Sequence, residues 1–134
     1  MTPLIPDHLR AALLRNGAAP EADHAPVVKL FNPTGAATWL LSEMLPHNLD
    51  LLFGLCDLGM GYPELGYVSL TELEGVTGRL GLGIERDLHF EGRFPLSVYA
   101  EAARAAGSIT ETEPLLRAAA AALAAHKRHD DRGS

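Results

Sequence analysis

From Val27 to Leu70 the chain repeats one pattern four times: a short apolar run, then a cluster of turn residues. The runs are "VVKLFNP" (27–33), "ATWLLSEML" (37–45), "LDLLFGLCDL" (49–58) and "YVSL" (67–70). "NPTGA", "PHNLD" and "GMGYPELG" divide them. Runs this short are strand-length rather than helix-length, and Asn-Pro and glycine clusters punctuate the chain. Turn signals recurring every eight to twelve residues predict an antiparallel meander. "GIERDLHF" (83–90) extends the pattern as a fifth strand. Side chains alternate across a strand, so Ile84, Arg86, Leu88 and Phe90 are expected to face the core, with Glu85, Asp87 and His89 opposite.

Helical signals flank the meander. "IPDHLRAALLRNG" has Pro6 and Asp7 at its start and Gly17 at its end. "PLSVYAEAARAAG" starts at Pro95 and stops at Gly107, with Leu96, Tyr99, Ala103 and Ala106 on one stripe. Ser69 and Glu72 have capping-box spacing, opening a short helix near Glu72 to Val76, and Thr110 with Glu113 repeats that spacing before the last helix. The fold class expected is therefore α+β: an antiparallel β-meander of about four to five strands, with helices from both chain ends packed on one face. Residues 1–107 form the domain, and 108–134 form an alanine-rich helix with a disordered "DDRGS" tail.

Composition excludes several classes. A net charge of −6 over 134 residues argues against nucleic-acid binding through a phosphate-neutralising patch. The single cysteine allows no internal disulfide and suits a reducing compartment. No apolar run approaches the length of a membrane span, and the N-terminus lacks the basic-then-apolar order of a signal peptide, so the expected location is cytoplasmic. P-loop, HExxH and EF-hand patterns are missing, and "GRLGLG" (78–83) precedes a strand rather than a helix, a weak setting for a phosphate.

The segment "FGLCDLGMGYPELGYVSLTELEGV" (53–76) concentrates what remains. Asp57 and Glu64 bracket its turn. With Asp87 they are the candidate ligands for a divalent cation, which favours oxygen donors. The bland alternative is a hairpin turn whose glycines supply positive φ and whose acids are solvated. Tyr62, Glu64 and Tyr67, with Asp57 and Trp39, are the candidate binding residues. Trp39 alone reads first as a core anchor. Cys56 lacks an adjacent base and reads as a small buried hydrophobe. Lys29, inside an apolar run, is either solvated or paired to an acid. Arg86 is expected to pair with Glu74 or Asp57.

"VVKLFNPTGAATWLLSEM", "FGLCDLGMGYPELGYVSLTELE" and "LGIERDLHF", in that order, resemble the bacterial domain-of-unknown-function family 2958. The resemblance covers the chain up to "PLSVYAEAARAAG" and leaves out the last helix. It implies small cytoplasmic bacterial proteins carried with plasmid and other mobile-element genes, and it brings no catalytic residue or cofactor. The function expected is a non-enzymatic, protein-binding accessory factor, such as an anti-defence protein. The alternatives are a metal-dependent hydrolase using Asp57, Glu64 and Asp87, and a self-associating module, a homodimer paired through the last helix.

Overall fold

The computed structural model describes residues 3–76 and 81–133, the last three by backbone alone. Its meander is complete. β1 (Val28–Phe31), β2 (Thr38–Leu45), β3 (Asn48–Asp57) and β4 (Glu64–Ser69) pair antiparallel in sequence order, and β5 (Glu85–Arg86) adds to the outer side of β1. The sheet order is β4-β3-β2-β1-β5. Among the described residues four α-helices accompany it: α1 (Asp7–Gly17), α2 (Leu70–Gly75), α3 (Leu96–Ala106) and α4 (Glu113–Gly133).

The helices do not share one face, which corrects the sequence expectation. β2 is buried along almost its whole length on both sides. Trp39, Leu41 and Met44 join one cluster with Leu13 of α1 and Leu70 and Leu73 of α2. Leu40 joins a second with Leu55 of β3, Leu96 and Tyr99 of α3, and Leu116 of α4. Adjacent residues of a strand point to opposite faces, so Leu40 and Leu41 must lie in different layers. The near-continuous apolar run "TWLL" follows from that double burial.

β5 is also shorter than expected. Within the run 83–90 the strand β5 is two residues long, Arg86 against Leu30 and Glu85 against Phe31, and the Asp87 N–H adds a bond to the Lys29 carbonyl at 2.9 Å. The chain then turns: the Asp87 carboxylate accepts from the His89 backbone N–H, and Leu88 is exposed. Arg86 makes no ion pair with Glu74 or Asp57 among the described residues. The basic partner at this edge is Lys29, whose ammonium bridges Asp87 at 3.6 Å and Glu111 ahead of α4.

Local caps match the sequence in part. The Ser69 hydroxyl accepts from the Glu72 N–H and so starts α2. Asp50 of β3 reinforces that start by accepting from the Ser69 hydroxyl and from the Thr71 N–H and hydroxyl, which holds its carboxyl below the usual range. Gly107 ends α3 at φ 81°. Before α4, Thr110 accepts from the Thr112 N–H, not from that of Glu113, so the expected capping box does not form there. α4 runs on through residue 133, where a disordered tail was expected. The first half of "GRLGLG", residues 78–80, lies outside the described residues.

The two-layer core predicts that Leu40→Ala and Leu41→Ala each cost about 2–5 kcal/mol, because each opens a cavity in a different layer. Leu88→Ala, on the segment that does not extend the sheet, should change stability by less than about 0.5 kcal/mol. Urea unfolding of the three variants checks this. A negligible loss at either Leu40 or Leu41 would contradict burial of β2 on both faces.

Candidate functional site

β3 and β4 form a hairpin whose tip lies in residues 58–63. Gly59 and Gly61 adopt φ of 82° and 85°, the left-handed region that glycine enters without a Cβ clash. Gly54 and Gly66 serve no turn, because they face each other in mid-strand. A Cβ on Gly54 would stand 2.1 Å from the Leu40 carbonyl oxygen, so glycine there permits the close approach of β2. The "glycine cluster" of the sequence thus divides into a turn pair and a strand pair.

The structure does not bring the three candidate cation ligands together, and this is a correction. Asp57 ends β3 with 4% of its surface exposed. One carboxylate oxygen accepts from the Gly59 N–H at 2.8 Å and the other from the Ile109 N–H at 2.9 Å. Asp57 therefore ties the hairpin tip to the α3–α4 connection. Glu64 starts β4 opposite Cys56, whose side chain packs toward the layer of α1 and α2. Asp87 follows β5 at the other edge of the sheet, four strand spacings or about 19 Å away, paired with Lys29. No group of three or more His, Cys, Asp or Glu with cation-binding geometry occurs among the described residues.

Cys56 is held inert. Burial pushes its thiol up to about 11, and the negative charge of Glu64 adds to the effect. A thiol in this environment stays protonated at neutral pH and makes a poor nucleophile. Glu43 on β2 is a buried acid that sequence reasoning passed over. Burial raises its carboxyl above the usual range, with His24 opposing the shift and Glu21 adding to it.

Of the five candidate binding residues, three are exposed on the β3–β4 hairpin. Tyr62 is 80% exposed and Tyr67 63%, with Glu64 between them on the same hairpin. Trp39 is only 6% exposed and belongs to the core. Asp57 supports the tip from behind. Sequence reasoning missed Leu58, Met60 and Leu65, which are also exposed on this hairpin. Their signal was available: four large apolar side chains lie between Asp57 and Gly66, too many for a loop whose only task is to turn.

A groove lies on each side of β4. On the α3 side, about 570 Å³ is bounded by Leu55, Tyr62, Pro63, Leu65, Ala100 and Arg104. On the α2 side, about 420 Å³ is bounded by Leu58, Tyr67, Val68, Leu73 and Val76, with Glu72 at the rim. Tyr67 also packs on Phe53, ring centroids 5.1 Å apart. Exposed aromatic and apolar side chains over shallow grooves can supply contact area to another macromolecule.

The chain belongs to the family described as protein of unknown function (DUF2958), whose model matches residues 4–110. The match spans the sheet and α1 to α3 and stops before α4. No curated protein and no solved structure matches the chain. Among the described residues, no helix is long and apolar enough to cross a membrane.

Two outcomes follow. Asp57→Ala removes the buried carboxylate that accepts from the Gly59 and Ile109 N–H groups and should destabilise the fold by about 1–3 kcal/mol in urea unfolding. An unchanged midpoint would contradict its role as the tie between hairpin and α3–α4 connection. Alkylation of Cys56 by iodoacetamide should stay slow at pH 8 and accelerate only as pH approaches about 11, because the raised pKa keeps the thiolate scarce below it. Glu64→Gln removes a repulsive charge and should move that profile to lower pH. A fast reaction at pH 7 would contradict the burial.

Proposed function

We propose that this protein acts by binding another protein through the exposed face of the β3–β4 hairpin. The observation that carries the reading is the set Leu58, Met60, Tyr62, Leu65 and Tyr67, all exposed on one hairpin. Isolated exposed apolar residues are ordinary, but five on one hairpin, two of them tyrosines, match the composition of an interface. Burying a tyrosine in a partner's pocket supplies large contact area for little lost side-chain freedom. The acidic balance of the chain, −6 overall, favours a partner surface with basic character over a nucleic acid. A link to mobile-element genes, implied by the resemblance noted in the sequence, agrees with this reading. The partner proposed is accordingly a component of host defence or plasmid maintenance, and the setting a bacterial cytoplasm.

The test is capture of partners by the tagged full chain from a nuclease-treated bacterial lysate, read by mass spectrometry. A partner should be retained stoichiometrically, and Tyr62→Ala combined with Glu64→Ala should reduce its retention about tenfold or more, the loss expected at an interface hot spot. Leu88→Ala, at the far edge of the sheet, should leave it unchanged. Equal retention by the Tyr62/Glu64 variant would contradict this placement of the surface.

A further inference from the structure

We infer that β4 takes an added strand: an extended segment of the partner, apolar at alternate positions and carrying Lys or Arg near its ends. The inference rests on the hairpin reading above and specifies its mode. Edge strands present a row of unpaired backbone groups, and proteins ordinarily blunt them by shortness, lysine, proline or a covering element. The two edges of this sheet differ in that respect. β5 has two residues, so it offers little template. β4 has six, "ELGYVS", with no lysine or proline, and Leu65 and Tyr67 exposed on it. Among the described residues, β3 is its only strand partner, and no other makes a backbone hydrogen bond to it.

The grooves supply the second half of the argument. A strand laid about 4.8 Å from β4 sends alternate side chains to opposite faces of the sheet. One set would reach the groove lined by Tyr62, Leu65 and Ala100, and the other the groove lined by Leu58, Val68 and Val76. Main-chain bonds then give affinity, and the paired grooves select apolar side chains at every second position.

Charge separates a basic partner from a second copy of this chain. Glu64 is exposed at the start of β4, and Glu72 and Glu74 are exposed just beyond its end. Among the described residues lining the two grooves, Arg104 is the only cation, and it is paired with Glu101. Two β4 strands paired antiparallel would set Glu64 of one copy beside the Ser69–Glu72 end of the other, acid against acid. A segment with basic ends meets the opposite condition.

The probe is a phage-displayed library of random dodecapeptides selected on the folded full chain, followed by synthesis of the strongest consensus. Enriched sequences should alternate apolar residues and carry Lys or Arg toward their ends. The synthetic peptide should slow hydrogen exchange of β4 amides by about tenfold or more. N-methylation of every second peptide amide, on the edge that pairs, should abolish binding. Glu64→Lys with Glu72→Lys should weaken it about threefold at low salt. A helically spaced or proline-rich consensus that leaves β4 amides unprotected would overturn strand addition while leaving the hairpin reading intact. No enrichment above background would overturn it as well. A dimer by light scattering, with β4 protected in the absence of peptide, would replace the partner segment with a second copy. Binding of the consensus peptide that survives Tyr62→Ala and Tyr67→Ala together would contradict the hairpin reading itself.

Discussion

The structure depends on the double burial of β2. A strand with Leu40 in one layer and Leu41 in the other cannot sit at the surface, so helices must cover both faces of the sheet. α1 and α2 close one side, and α3 with α4 close the other. The meander order then fixes what is left. β2 and its neighbours take the middle, and β4 and β5 become the edges. β5 is reduced to a two-residue pairing, which leaves β4 as the long uncovered side of the molecule.

Polar ties hold the connections to this framework. Asp57 joins the hairpin tip to the backbone ahead of α4. Asp50 fixes the start of α2. Asp23, in the connection after α1, accepts from the Ser97 N–H at 3.1 Å and from the Ser97 hydroxyl, and so sets the first turn of α3. Lys29 gathers Asp87 and Glu111 at the β5 side. Several conspicuous acids of this chain are thus employed in joining elements. Their chemistry is that of caps and hinges, with lone pairs committed to backbone or hydroxyl donors. Glu64 and Glu72 differ, because their carboxylates stay exposed beside the open edge.

The meander was legible because its signal is local: apolar runs of strand length and turn residues at short intervals. The helix starts at Pro6 and Pro95 and the stop at Gly107 were legible for the same reason. What could not be read was long-range. Whether Asp57, Glu64 and Asp87 converge depends on sheet order, and the order sends Glu64 and Asp87 to opposite edges. The split of the helices between two faces was present in "TWLL", whose lack of alternation is the mark of a strand covered twice. The fifth run failed as a strand beyond Arg86 because the Asp87 carboxylate turns the chain onto His89, a local competition that alternation does not reveal. Of the candidate surface, Tyr62, Glu64 and Tyr67 were found by residue type, whereas Trp39 was claimed by the core.

One asymmetry underlies both the fold and the candidate surface: a doubly covered β2 and an open β4. Native-state hydrogen exchange of the free chain measures it directly. The amides of β2 should exchange only through global unfolding, while the outward amides of β4 should exchange through local opening, orders of magnitude faster. Protection of β4 equal to that of β2 would mean that the edge is already covered, and would contradict both the surface and the mode of binding assigned to it.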